Sequence, residues 1–249
     1  MKILASDLDG TIYRHKNVSA EDLCALENFT KKNLLIIATG RNKTTFGNFQ
    51  NRFNLNYHSI ILNNGALILD ANQKIISAHP FQNMDDLTEL FKIINHYDKT
   101  NLSLSISLID HQIYMPDYHP DLQQQLTEQM QNSVLGICIE IKNQSLPLTE
   151  EIYTEIKEHT SFNIEHNKHY IDILPDGVSK KNALLELMAL YQFNQDDMYF
   201  IGDAYNDISM FEINHHSFLI DQGNTDLNRY ASHIVQSISQ CIEMIEKEA

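Results

Sequence analysis

Three short apolar runs separated by helical stretches limit what this chain can fold into more than any other feature. Residues 3–7, 34–38 and 59–62 read as strands. Leu34-Leu35-Ile36-Ile37-Ala38 contains no polar residue, the pattern of a strand buried on both faces of a parallel sheet. Ser19 is placed to cap a helix, with Glu21 and Asp22 in its first turn and Leu23, Leu26 and Phe29 on its buried stripe. A second helix is predicted over residues 43–52. Strand, helix, strand, helix, strand implies an α/β fold with a doubly wound, mostly parallel, Rossmann-like sheet and right-handed crossovers.

The pattern changes near Pro80. Residues 66–78 read as a hairpin turning at Asp70-Ala71-Asn72. A helix follows over 84–97. Residues 102–108 then alternate strictly between apolar residues and serine, which predicts a half-exposed antiparallel strand. Its partner is 113–115, after Asp110-His111. Asp117-Tyr118-His119 reads as a polar turn before a helix over 120–131. A strand over 134–141, a helix over 148–159 and a hairpin of 162–165 with 170–174 complete an α+β module. Pro175-Asp176-Gly177 marks the return. Ser179 caps a helix carrying Leu184, Leu187 and Met188. Strands over 198–201 and 217–220 and a helix over 237–247 finish the first sheet. The expected division is a core of residues 1–80 and 176–249, interrupted by an inserted module of residues 81–175.

Composition narrows the function. A net charge of -15 over 249 residues argues against a nucleic-acid surface, which needs a basic patch. It also repels anions, so any anion site needs a local cation. No stretch has the length of a membrane-spanning helix, and the first residues read as strand and loop rather than as a signal peptide. Cys24, Cys138 and Cys241 show no metal-ligand spacing and read as reduced thiols. A cytoplasmic location is expected, with no membrane partner. His166 with His169, and His215 with His216, lack a carboxylate or Cys at ligand spacing and read as surface or hairpin residues.

Polar clusters follow the strands or open a helix. Asp7-Leu8-Asp9-Gly10-Thr11 follows the first strand, and Thr39-Gly40-Arg41 the second. Gly202-Asp203-Ala204-Tyr205-Asn206-Asp207 follows a late one, and Lys180 lies in the first turn of the helix that reopens the core. Each could be an ordinary turn alone. Open parallel sheets, however, bind ligands beyond the carboxyl ends of their strands, which brings all four clusters to one rim. Asp7, Asp203 and Asp207 concentrate negative charge and call for a cation, and an all-oxygen set suits Mg beside phosphate. Thr39 offers a hydroxyl, Gly40 an open backbone N–H and Lys180 a compact positive charge, all suited to phosphoryl transfer.

These four motifs, in this order, resemble those of the haloacid dehalogenase superfamily. Asn64-Gly65-Ala66, the place of the insertion and Leu174-Pro175-Asp176-Gly177-Val178-Ser179-Lys180 resemble its Cof-type members, with a type IIB cap. The resemblance implies that Asp7 is a nucleophile forming an aspartyl-phosphate, and that Asp9 is the acid and then the base. It implies Mg held by Asp7, the Asp9 backbone carbonyl and Asp203, with Asp207 acting through a water. Asn206 would support the rim or Lys180, and Arg41 and Asn64 would lie near the phosphate or the cap hinge. Lys181 follows Lys180 where relatives often carry Gly. Residues 219–224, Leu-Ile-Asp-Gln-Gly-Asn, stand where they carry a Met-Gly-Asn-Ala-like segment. The implied activity is a Mg-dependent phosphatase acting on a small phosphorylated metabolite, a sugar phosphate foremost, with the cap closing over the site. A phosphomutase shares Asp7 and Asp9 but must protect the phosphorylated enzyme from water. A phosphate-sensing regulatory module would need neither Asp9 nor a cap.

Overall fold

The computed structural model describes residues 1–82, 84–116, 133–223 and 225–247. The turn at 117–119, the helix expected over 120–131 and Asn224 lie outside them. Two compact units emerge. One comprises Met1–Arg41, Thr45–Ser77 and Ser179–Ala249, the other Asn42–Thr44 and Ala78–Val178.

The first unit contains β1 (Ile3–Ser6), helix α1 (Ala20–Phe29), β2 (Leu34–Ala38), helix α2 (Lys43–Phe53), β3 (Ser59–Leu62), β4 (Leu67–Asp70) and β5 (Ile75–Ala78). After the insertion, numbering strands along the whole chain, come helix α5 (Lys180–Tyr191), β11 (Met198–Gly202), the short helix α6 (Ile208–Phe211), β12 (Ser217–Ile220), β13 (His233–Val235) and helix α7 (Ile238–Lys247). They build an eight-stranded sheet ordered β13-β12-β11-β1-β2-β3-β4-β5. The six strands from β13 to β3 are parallel, and β4 pairs antiparallel with β3. The order reverses at β1, flanked by β2 and β11. That is the switch point at which doubly wound sheets open a crevice. Every residue of β1, β3, β11 and β12 is buried, as continuous apolar strands require. β13 was not anticipated, because His233-Ile234-Val235 is too short to show a period.

Ser19 caps α1 by accepting from the Asp22 backbone N–H. Asp22, expected as a first-turn acid, is itself buried. It pairs with Arg14 and accepts from the Ser239 backbone N–H at 2.9 Å, so it also satisfies the start of α7.

The second unit contains α3 (Met84–His96), β6 (Leu102–Leu108), β7 (Gln112–Met115), β8 (Val134–Ile141), α4 (Leu146–His159), β9 (Asn163–Asn167) and β10 (Tyr170–Leu174). Its five-stranded sheet, β7-β6-β8-β10-β9, is antiparallel throughout. Leu104, Ile106, Ile139 and Ile171 pack with Leu90, Phe91 and Ile94 of α3 and with Ile152 and Ile156 of α4. Burying each such side chain contributes about 1.5–3 kcal/mol. Helix α4 begins at Leu146, two residues ahead of expectation, because the Ser145 hydroxyl caps it by accepting from Leu148 N–H.

One expectation is corrected here. The serine face of β6 is not half-exposed: Ser103 and Ser107 are buried. β6 is an inner strand, and longer side chains on its neighbours cover the short serines. Glu140 accepts from Ser103 Oγ at 2.9 Å, and Gln112 donates to Ser105. Among the described residues, no helix is long and apolar enough to cross a membrane.

Candidate active site

The site assembles where the sheet order reverses. β1 ends at Ser6, and the Asp7 backbone N–H still bonds to Ile201 O of β11 at 2.9 Å. Asp7 is therefore pinned at the carboxyl end of the central strand. β11 ends at Gly202, and the chain there turns so tightly that a Cβ on Gly202 would lie 2.4 Å from the Asp207 side chain. The Asp207 Oδ2 accepts from the backbone N–H groups of Asp203 and Ala204 at 2.9 and 3.0 Å, which folds the loop around its own carboxylate. Asp7, Asp203 and Asp207 offer carboxylate oxygens that all lie within 4.8 Å of one another.

Lys180 is the counter-charge. Its Nζ donates to Asp7 Oδ1 at 2.6 Å and to Asp207 Oδ1 at 2.7 Å, and its side chain is 1% exposed. The turn after β3 holds the start of α5 in place for this. Gly65, at φ +121°, lies so near the Ser179 carbonyl that a Cβ would meet it at 2.4 Å. Ser179 then caps the helix at Asn182 N–H. Lys181 points elsewhere and pairs with Glu212 at the surface, so Lys180 is the inward lysine.

The electrostatics favour a cation. Burial raises the Asp7 carboxyl well above its usual value, Lys180 opposes this, and Asp207 and Asp203 add to it. Burial, then the Asp207 charge, pushes Asp203 up to about 6, while Thr11 and Asp7 hydrogen bonds pull it back. Burial pulls the Lys180 ammonium down, but Asp207 and Asp7 more than offset it and hold it above its usual range. Three carboxylates against one ammonium leave uncompensated negative charge in a largely enclosed site. An all-oxygen donor set of this kind fits a hard divalent cation. Among the described residues, this is the one cluster of three or more possible ligands.

The other expected residues fall around it. Asp9 does not turn its carboxylate into the cluster. Arg41 holds it instead, Nε to Oδ2 at 2.7 Å and a terminal nitrogen to Oδ1 at 2.6 Å. The guanidinium lies over the rings of Tyr13 and Phe49. Thr39 is buried and its hydroxyl accepts from Arg41 N–H, so the hydroxyl proton is free to be donated. A Cβ on Gly40 would sit 3.1 Å from Asn64 Oδ1, a close approach that would press on the Asn64 amide. Asn64 adopts a left-handed conformation at φ 52°, and its backbone N–H bonds to Thr39 O. Asn206 sits in the short turn before α6; among the described residues no hydrogen bond ties its side chain to Lys180, whose partners are Asp7 and Asp207.

Two further residues hold Asp203. Thr11 donates to Asp203 Oδ1 at 2.7 Å, and Gln222 donates to Asp203 Oδ2 at 3.0 Å and to Gly10 O at 2.7 Å. The Thr11–Asp203 and Gln222–Gly10 bonds span about two hundred residues, and the Gln222–Asp203 bond joins separate loops, so no spacing rule announces these pairings.

A family model described as haloacid dehalogenase-like hydrolase matches residues 4–241. The chain belongs to that family. It is therefore a hydrolytic enzyme of the haloacid dehalogenase type, with an acid cluster able to coordinate a divalent cation. The 5-amino-6-(5-phospho-D-ribitylamino)uracil phosphatase YwtE of Bacillus subtilis is 26% identical, over 95% of this chain and 93% of its own. A haloacid dehalogenase-like hydrolase structure from B. subtilis superposes with a TM-score of 0.83 at 16% identity, covering 99% of both chains. The subclass IIB sugar phosphatase BT4131 superposes with a TM-score of 0.75 at 17% identity, covering 100% of this chain and 99% of its own. At such identities the superpositions speak for the fold, a Rossmann-like core with an inserted cap.

Proposed function

We propose that this hydrolase is a magnesium-dependent phosphatase that cleaves small phosphate monoesters, sugar phosphates foremost, through an aspartyl-phosphate on Asp7. The observation that carries the reading is the buried Lys180 fork. It holds one oxygen of Asp7 and leaves the carboxylate a second oxygen for attack on phosphorus. Residues 81–175 act as the specificity cap. The relatives support the substrate class: one is named for a phosphoribityl compound, the other as a sugar phosphatase.

Each residue then has a task. Asp7 forms the bond to phosphorus as the ester oxygen leaves. Asp9 gives that oxygen a proton, then takes one from the water that attacks the aspartyl-phosphate. One water is consumed, and one alcohol and one inorganic phosphate are released. Thr39, Gly40 and Asn64 face phosphate oxygens with a hydroxyl, a backbone N–H and an amide. Arg41 sets the orientation of Asp9, and Asn206 belongs to the rim of the cluster. Asp7, the Asp9 carbonyl oxygen, Asp203 and Asp207 would hold magnesium, which would supply charge shielding between an anionic nucleophile and an anionic ester.

The test is phosphate release from a panel of phosphorylated sugars and polyols with magnesium present. Wild type should release phosphate, and Asp7→Asn should not. An isomerised ester without free phosphate would point to a mutase instead. Cation binding without any turnover would point to a sensing role.

A further inference from the structure

The turn after β12 reaches back to the acid cluster through one side chain. Asp221 fixes that turn: its Oδ1 accepts from Gly223 N–H at 2.9 Å, its Oδ2 accepts from the Gln236 amide at 3.0 Å, and its own N–H bonds to Val235 O. Gln222 is presented from this anchored turn. Its amide nitrogen carries two protons and meets two acceptors, Gly10 O at 2.7 Å and Asp203 Oδ2 at 3.0 Å. The loops following β1, β11 and β12 are thereby joined at a single atom.

The Asp203 carboxylate is consequently held at both ends. Thr11 donates to Oδ1 and Gln222 to Oδ2. Two donors on opposite oxygens fix the plane of the group, and each oxygen keeps a lone pair for a cation. Thr11 is buried, whereas Gln222 is exposed, so the clamp closes from the solvent side. The chemistry of the donor matters. A lysine or arginine at this place would compete with a bound cation for Asp203. A neutral amide orients the carboxylate and leaves its charge uncompensated.

We infer that Gln222 is a positioning residue of the cation site, setting the Asp203 carboxylate for a divalent ion before that ion arrives. This rests on the reading of the acid cluster as a magnesium site. Outer-shell partners of metal ligands typically change metal affinity by about 10- to 100-fold when removed.

The test compares wild type with Gln222→Met, which keeps length and loses both donors. Magnesium affinity is measured by titration calorimetry, and unfolding temperature with and without magnesium. The expected result is a dissociation constant raised about tenfold and a smaller magnesium-induced rise in unfolding temperature. With substrate, the loss should appear mainly in the magnesium concentration giving half the maximal rate. A role confined to holding the turn would lower the unfolding temperature without magnesium and leave the dissociation constant within about twofold of wild type, and that result overturns the assignment. Wild type that binds no divalent ion overturns the magnesium reading and this inference together. Wild type that binds the ion but releases no phosphate defeats the phosphatase reading alone, and the Gln222 comparison still decides.

Discussion

Arg41 clasps the Asp9 carboxylate with two donors, one to each oxygen, at 2.6 and 2.7 Å. The fork is planar and rests on the faces of Tyr13 and Phe49, so it fixes direction as well as charge. A lysine can supply the charge but not the two-point geometry. Arg41→Lys should therefore lose about tenfold in kcat, and Arg41→Ala more, with the fold intact. Steady-state kinetics on any ester the wild type hydrolyses would check this. Full activity in Arg41→Lys would mean that Arg41 acts only as a positive charge.

Cation binding should depend on pH in a definite direction. Burial and the charge of Asp207 push Asp203 up to about 6, above the ordinary 3.8. A carboxyl raised in the folded state favours folding most below its unfolded value. That contribution is lost as pH rises through about 6. A divalent ion binds the ionised form and offsets the loss. The magnesium-induced rise in unfolding temperature should therefore be small near pH 5 and grow as pH rises through about 6, with the raised Asp7 carboxyl extending the growth further. Protons should be released on binding near pH 6, seen as a buffer-dependent heat in calorimetry. A larger magnesium effect at pH 5 than at pH 7 would contradict the raised carboxyl.

What could be read in the sequence was what short-range patterns encode. β2 and β11 announce themselves as unbroken apolar runs, and the acids at the ends of β1 and β11 follow from where such strands stop. Lys180 was favoured over Lys181 by its spacing from Val178-Ser179 in the motif it resembles. The rest depended on contacts between distant segments. Nothing near Asp9 shows that Arg41 will take its carboxylate, and nothing near Gln222 points to Asp203. Ser103 and Ser107 alternate like surface residues, yet an inner strand with long neighbours buries them. Asp22 looked like a helix-dipole partner and proves to be buried against α7.

Lys180 holds two buried carboxylates at once, so its removal is expected to cost stability as well as rate. Lys180→Met leaves Asp7 and Asp207 without their counter-charge, which should destabilise the fold by about 3–5 kcal/mol in the absence of a cation. Added magnesium should recover part of that loss. Lys181→Met removes only an exposed pair with Glu212 and should cost at most about 1 kcal/mol. Urea unfolding of both variants, with and without magnesium, measures the contrast. Equal effects for the two lysines would be incompatible with the buried fork.

Gly10 and Gly177 offer a paired test of how the loop after β1 shapes the cluster. Both have positive φ, +96° and +71°. A Cβ on Gly10 would lie 2.2 Å from Asp203 Oδ2, whereas one on Gly177 meets nothing within 4 Å. Gly177→Ala should thus show only the backbone penalty, about 1–2 kcal/mol, with cation affinity unchanged. Gly10→Ala carries that penalty and must also push the Asp203 carboxylate out of place. Its magnesium affinity should fall by about tenfold or more, as for the loss of a ligand's outer support. Unfolding curves and calorimetry on the two variants separate the effects. If Gly10→Ala kept wild-type magnesium affinity, the close approach of this loop would not be what seats Asp203.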